Sequence, residues 1–167
     1  VDSIYDVPLN FERDNLSDIL LKALGKRGKQ DSDMNEWKKF AAHAHNGREM
    51  VKIGIVGKYF VSGDFSLTDA YLSIIEAIKH ASWRQGFQPE IIWIDAEEFE
   101  KDPKKLDELA SYDGVIVPGG FGGRGVEGKI LTVRYVREHK IPYLGLCYGL
   151  QMAVIEFARN VCGLDNA

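Results

Sequence analysis

The sequence predicts an α/β fold: an open, mostly parallel sheet with helices on both faces, preceded by a helical segment. Three observations carry that expectation. Apolar, strand-sized runs recur at residues 51–56, 91–94, 115–117 and 143–146. Patterns of helical period separate them, the alternation expected of a parallel sheet covered on both sides. Three loops, at 57–66, 118–125 and around Cys147, fall at the carboxyl ends of predicted strands, where open α/β sheets bind their ligands.

Residues 1–11 read as a short extended segment around Pro8. Leu16, Ile19, Leu20, Ala23 and Leu24 have helical spacing over 15–24, and Gly25 is a plausible stop. Residues 25–32, Gly-Lys-Arg-Gly-Lys-Gln-Asp-Ser, read as a polar linker. A second helix is expected over 35–44, with Asp33 and Glu36 in capping-box spacing and Trp37, Phe40, Ala41 and Ala44 as its apolar stripe. His43 and His45 stand two apart on that helix and point in different directions, so no metal site is expected. Beyond the first strand, Leu67, Tyr71, Ile74, Ile75 and Ile78 mark one face of a helix. The acidic run 95–100 follows the second strand and leads to a short helix over 103–110. Helices over 128–138 and 148–159 flank the fourth strand.

Composition bounds the function classes. With 167 residues, 45% hydrophobic and 28% charged, the chain fits one soluble globular domain with an appendage. A net charge of −4 lacks the clustered basic footprint of nucleic-acid binding. No apolar run approaches the ~20 residues that span a bilayer, and residues 1–6 lack the basic start and apolar core of a signal peptide. Cys147 and Cys162 lie on either side of a predicted helix and form no disulfide framework, so a reducing cytoplasm is the expected setting.

The segment Tyr143-Leu144-Gly145-Leu146-Cys147-Tyr148-Gly149-Leu150-Gln151 carries the chemistry. It reads as a buried strand, a tight glycine-flanked turn bearing one cysteine, then an amphipathic helix. Such a turn lifts its central side chain clear of the sheet at a helix amino end, a setting that favours thiolate over thiol. It also places the following backbone N–H where an oxyanion develops, as in the nucleophile elbow of hydrolases. Cys147 is therefore the candidate nucleophile, against the bland reading of a small buried hydrophobe. Pro118-Gly119-Gly120-Phe121-Gly122-Gly123-Arg124-Gly125 follows a strand directly. Glycine at that density lets N–H groups face an anionic or carbonyl oxygen, although it fits neither a Walker loop nor a dinucleotide fingerprint. Together the two loops could supply both halves of an oxyanion hole.

Pro118-Gly119-Gly120, followed 27 residues after Gly120 by Cys147 in Gly-x-Cys-x-Gly-x-Gln, resembles the class I, triad-type glutamine amidotransferases. The match is closer still to the CTP synthase family. Asp2-Ser3-Ile4-Tyr5 with Pro8-Leu9 is similar to the end of its synthetase domain. Gly57-Lys58-Tyr59, with Asp69-Ala70-Tyr71, Ser73 and Glu76-Ala77, is similar to the start of its amidotransferase domain. The loop through Lys129 and the run from Ala153 to Asn160 are similar again. This resemblance implies a flavodoxin-like sheet and three regions: 1–11 as the end of a synthetase domain, 12–50 as a helical interdomain linker, and 51–167 as the N-terminal part of a glutamine amidotransferase domain.

The resemblance further implies that glutamine is hydrolysed through a glutamyl thioester on Cys147, and that the ammonia converts UTP to CTP at the expense of ATP. Gly120 and the Tyr148 backbone would hold the amide oxygen, with Tyr148, Gly149, Leu150 and Gln151 lining the glutamine site. Phe121 and Arg124 fall in the loop near which the family binds its GTP activator. No cofactor is expected on this chain; ATP and Mg²⁺ belong to the synthetase domain, and the complete family enzymes are homotetramers. Nucleic acid and membrane are not expected partners.

Two departures stand out. Tyr148 occupies a position where the family usually has leucine, which leaves the backbone role intact but alters the pocket. The histidine base and glutamate of the triad come later in the family than the region matched. Of His43, His45, His80 and His139, none is a credible base, so the 167 residues alone are expected to be inactive as a glutaminase. A truncated paralogue serving as an interaction or regulatory module is the alternative reading.

Overall fold

The computed structural model describes residues 1, 3–27, 33–46, 49–57, 71–120 and 122–167. The chain divides into two compact units, Val1–Glu49 with Lys79–Gln88, and Met50–Ile78 with Pro89–Ala167. The loop expected at 57–66 falls outside the described residues beyond Gly57, as do Leu67 and most of the linker at 25–32.

In the first unit the expected extended segment at 1–11 is helical instead. A 3₁₀ turn over Ile4–Asp6 leads into α1, Val7–Arg13. The Ser3 hydroxyl oxygen accepts from the Tyr5 N–H at 3.2 Å and opens the turn. Pro8 lies in the first turn of α1, where its missing N–H forfeits no intrahelical bond. Long-range packing then holds the segment: Tyr5 is buried, with its ring edge-on to Phe40 at 5.2 Å and to Trp83 at 5.3 Å. The Trp37 indole N–H donates to the Tyr5 carbonyl at 2.8 Å. Helices α2, Leu16–Ala23, and α3, Asn35–Asn46, follow. Asp33 Oδ1 accepts from the Asn35 N–H at 3.0 Å, while Glu36 pairs with Lys39 instead of closing a capping box. His45 Nε2 lies 3.1 Å from the Asp6 carboxylate.

The sheet has four strands: β1, Glu49–Gly57; β2, Phe87–Asp95; β3, Gly114–Val117; and β4, Tyr143–Gly145. Their order is β2-β1-β3-β4 and the sheet is parallel, with Ile53 opposite Gly114 and Val117 opposite Gly145. This order fits the flavodoxin-like sheet that the family resemblance implies. Helix α4, Leu72–Arg84, lies between β1 and β2 in sequence. The acidic run after β2 is itself helical: Asp95 Oδ1 caps the Glu97 N–H at 2.9 Å, and α5, Ala96–Lys101, buries Ala96 and Phe99 completely. A 3₁₀ segment spans Pro103–Ser111. Helices α6, Val126–Glu138, and α7, Tyr148–Asn160, precede and follow β4.

The core joins Val56, Ile94, Val115 and Val117 of the strands to Phe99, Leu106, Leu109 and Val136. A second cluster, Ile130, Val133 and Met152, packs α6 on α7. These helices are also pinned by Glu156, only 1% exposed, which accepts from Arg137 Nη2 at 2.8 Å and Nε at 3.0 Å. Winding reverses between β1 and β3. Because β3 and β4 are parallel neighbours, the loop after β3 and the turn after β4 meet at the same carboxyl edge of the sheet.

Candidate active site at the β4–α7 turn

Pairing of β4 with β3 extends past Gly145, because the Leu146 N–H donates to the Val117 carbonyl at 2.9 Å. The chain then reverses at Cys147, whose φ of 51° and ψ of −101° are rarely tolerated outside glycine. Such strain costs on the order of 1–3 kcal/mol and persists only where surrounding structure enforces it. Two close approaches enforce it here. A Cβ on Gly149 would lie 2.0 Å from the Val117 carbonyl oxygen, and one on Gly145 would lie 2.6 Å from the Gly149 carbonyl carbon. With both glycines, α7 starts directly on the ends of β3 and β4. The Gly149 N–H donates to Leu146 O at 2.9 Å and the Gln151 N–H to Cys147 O at 3.2 Å. The Cys147 thiol is left exposed at the amino end of a 13-residue helix.

The glycine loop reaches the same place. A Cβ on Gly119 would sit 3.7 Å from the Cys147 Cβ, in ordinary van der Waals contact. Pro118 is buried, while Gly119 and Gly120 are half-buried. Gly122 and Gly125 have φ of 78° and 71°, and Gly125 caps α6. The Tyr148 hydroxyl donates to the Gly122 carbonyl at 3.0 Å and so ties the loop to the elbow.

Several expected site residues thus converge: Cys147, Gly120, Tyr148 and Gly149 lie on the elbow and the loop that faces it. Leu150 and Gln151 occupy the first turn of α7 with exposed side chains. Arg124 is a loop cation paired with Glu97. Phe121 lies outside the described residues. His139 precedes β4, at the end opposite Cys147, where its ring stacks on Tyr135 and its Nδ1 lies 2.9 Å from the Tyr135 carbonyl. His80 Nε2 lies 2.7 Å from the Tyr5 hydroxyl, in the unit that also holds His43 and His45. Among the described residues no three His, Cys, Asp or Glu side chains converge as a metal site, and no helix is long and apolar enough to cross a membrane.

Sequence reasoning missed two supports of the turn. The Tyr143 hydroxyl donates to the Gly149 carbonyl at 2.8 Å, and burial raises its pKa well above the ordinary phenol value, so it stays a donor. Lys129 is 1% exposed and places its ammonium 5.1 Å from the centre of the Tyr148 ring. Its burial was signalled by periodicity: Thr132, Val133 and Val136, at i+3, i+4 and i+7, are all buried on α6. An exposed thiol at a helix amino end, faced by a backbone-lined glycine loop, can attack a carbonyl carbon and stabilise the resulting oxyanion.

Comparison with known proteins gives the family. The family model for class-I glutamine amidotransferases matches residues 66–166. The CTP synthase of Carboxydothermus hydrogenoformans is 50% identical over 165 residues, 99% of this chain and 30% of that protein. The CTP synthase of Pyrococcus abyssi is 49% identical over 167 residues, 100% of this chain and 30% of that protein. The chain thus spans about a third of the length of the curated relatives it matches. A solved structure, the Trypanosoma brucei CTPS glutaminase domain with bound acivicin, superposes with a TM-score of 0.62 at 37% identity, covering 70% of this chain and 43% of that one.

Proposed function

Because the chain belongs to the class-I glutamine amidotransferase family, we propose that it is the glutamine-hydrolysing part of a CTP synthase, with Cys147 as nucleophile. One observation carries the proposal: an exposed cysteine held at φ 51° between two glycines that cannot bear a Cβ, against a second glycine loop. In this reading the Cys147 thiolate attacks the side-chain amide carbon of glutamine. The carbonyl oxygen takes the electron pair and is met by backbone N–H groups of Gly120 and Tyr148. Collapse breaks the C–N bond, and ammonia leaves with the proton that a general base took from the thiol and now returns as an acid. Water then cleaves the thioester to glutamate and restores the thiol. Gly149, Leu150 and Gln151 line the amino-acid pocket, and Phe121 with Arg124 belongs to a loop that senses GTP.

The base is assigned to the triad histidine of the family, oriented by its glutamate, in sequence other than these 167 residues. Residues 1–167 alone therefore do not turn glutamine over. In the complete enzyme the ammonia passes to a synthetase domain that uses ATP, Mg²⁺ and UTP, in a cytoplasmic homotetramer. Residues 1–11 and 12–50 are read as the end of that domain and the linker from it.

The test uses diazo-oxo-norleucine, a glutamine analogue whose diazoketone alkylates thiols, on the complete gene product. Cys147 and Cys162 are both exposed, so accessibility alone does not choose between them. Peptide mapping should find Cys147 modified first, and Cys147→Ala should abolish glutamine-dependent ammonia release. Equal labelling of the two thiols, or ammonia release that survives Cys147→Ala, refutes the assignment.

A further inference from the structure

Tyr148 does more than present an N–H group. Its backbone belongs to the turn after Cys147, while its hydroxyl donates to the Gly122 carbonyl at 3.0 Å, across 26 residues of sequence. Its ring faces the Lys129 ammonium at 5.1 Å. Lys129 in turn lies one turn into α6, with its N–H donating at 3.2 Å to the carbonyl of Gly125, the left-handed residue that ends the glycine loop. Three otherwise separate pieces, the elbow, the middle of the glycine loop and the start of α6, thus share one aromatic ring.

A loop this rich in glycine has many accessible backbone states, and its N–H donors are useful only in one of them. Two donors from different loops must converge on one oxygen, and a misplacement of about 1 Å can cost roughly a hundredfold in rate. A tyrosine hydroxyl bonded to the loop backbone removes that freedom. A buried ammonium over the ring holds the ring in turn, since an aromatic face attracts a cation most strongly where water is excluded. Leucine at position 148 would preserve the helix and its apolar contacts but has neither hydroxyl nor π face.

We propose that Tyr148 and Lys129 form a clamp that fixes the glycine loop against the Cys147 turn and so positions the amide-oxygen pocket. Both act as positioning residues, and the inference rests on the glutaminase reading above. It assigns a role to two side chains rather than to the backbone.

The experiment compares Tyr148→Phe, Tyr148→Leu and Lys129→Met in the complete gene product. It reads glutaminase kcat and KM, alkylation of Cys147 by diazo-oxo-norleucine, alkylation by iodoacetamide, and thermal unfolding. Iodoacetamide reports the thiol without needing an amide-oxygen pocket. Tyr148→Phe should lower kcat and the diazo-oxo-norleucine rate about three- to tenfold, the size of one lost neutral hydrogen bond. KM and the iodoacetamide rate should stay within about twofold. Lys129→Met should lower the same two rates in wild type and add little in a Tyr148→Leu background, as expected of residues acting through one ring.

Rates within about twofold of wild type in both Tyr148→Phe and Lys129→Met overturn the clamp. So does a parallel fall of both alkylation rates with the unfolding temperature, the mark of a merely structural role. If Lys129→Met fails to fold, Tyr148→Phe, which removes a single oxygen, decides alone. A wild-type Cys147 that reacts with iodoacetamide but not with diazo-oxo-norleucine refutes the glutaminase reading itself, and this inference with it.

Discussion

Adding one methyl group at Gly149 sets two effects against each other. Alanine is the better helix former by about 1 kcal/mol, so propensity alone predicts that Gly149→Ala stabilises α7. Packing predicts the reverse. The new Cβ would lie 2.0 Å from the Val117 carbonyl oxygen, 2.8 Å from its carbonyl carbon and 3.0 Å from its Cβ. Ordinary contact begins at 3.4 Å, so the first turn of α7 must retreat by about 1.4 Å from the end of β3. Neither the strand backbone nor the helix start can yield as a flexible side chain would. Overpacking of this kind costs typically 1–3 kcal/mol, and a backbone clash belongs at the upper end. The net expectation is a loss of about 2 kcal/mol, or roughly 4–8 °C in unfolding temperature for a chain of this size. The same retreat carries Cys147 away from Gly119, so alkylation by diazo-oxo-norleucine should fall about a hundredfold. Gly123→Ala is the control: no atom lies within 4 Å of its Cβ position and its φ is not positive. It should leave both readings near wild type. A Gly149→Ala protein as stable as wild type, with undiminished labelling, would refute the close-approach argument.

Three further outcomes are expected. Cys147→Gly should unfold about 2–4 °C above Cys147→Ala, because alanine keeps the Cβ that φ 51° penalises by about 1 kcal/mol; equal midpoints would remove the case for strain at the elbow. Arg137→Met should cost about 3 kcal/mol by chemical denaturation, since it strands the buried Glu156 carboxylate, and Arg137→Met with Glu156→Leu should recover more than half. Burial holds the Tyr143 phenol above its ordinary value, so above about pH 10 the native state keeps a proton that the unfolded chain has lost. Stability then falls as pH rises, by at most about 1.4 kcal/mol per pH unit. Tyr143→Phe should flatten that fall in part, since burial shifts Tyr112 the same way; unchanged slopes in denaturation between about pH 9 and pH 11 would count against it.

Periodicity and turn chemistry are local, and what depends on them was readable in advance. All four strands, the helices around β4, the glycine loop and the cysteine turn fall within a few residues of where pattern places them. The misreadings are equally instructive. Residues 1–11 contain Pro8 and scattered apolar side chains, so no period is visible. They become helical because Tyr5 is buried among Trp37, Phe40 and Trp83, whose positions in the chain lie 32 to 78 residues away. The acidic run at 95–100 shows no period that assigns it an element, yet a cap at Asp95 and the burial of Phe99 make it a helix.

By itself, then, the sequence determined the α/β alternation, the glycine-flanked turn that carries Cys147 and the family to which both belong, because each is written in residues adjacent along the chain. Only the tertiary structure decided that β3 lies beside β4, that the glycine loop touches the cysteine, and that Tyr148 and Lys129 bridge the two. The physical reason is distance along the chain. Strand order and ångström-scale backbone approaches depend on which segments become neighbours, and no local pattern encodes the 2.0 Å that forbids a Cβ at Gly149.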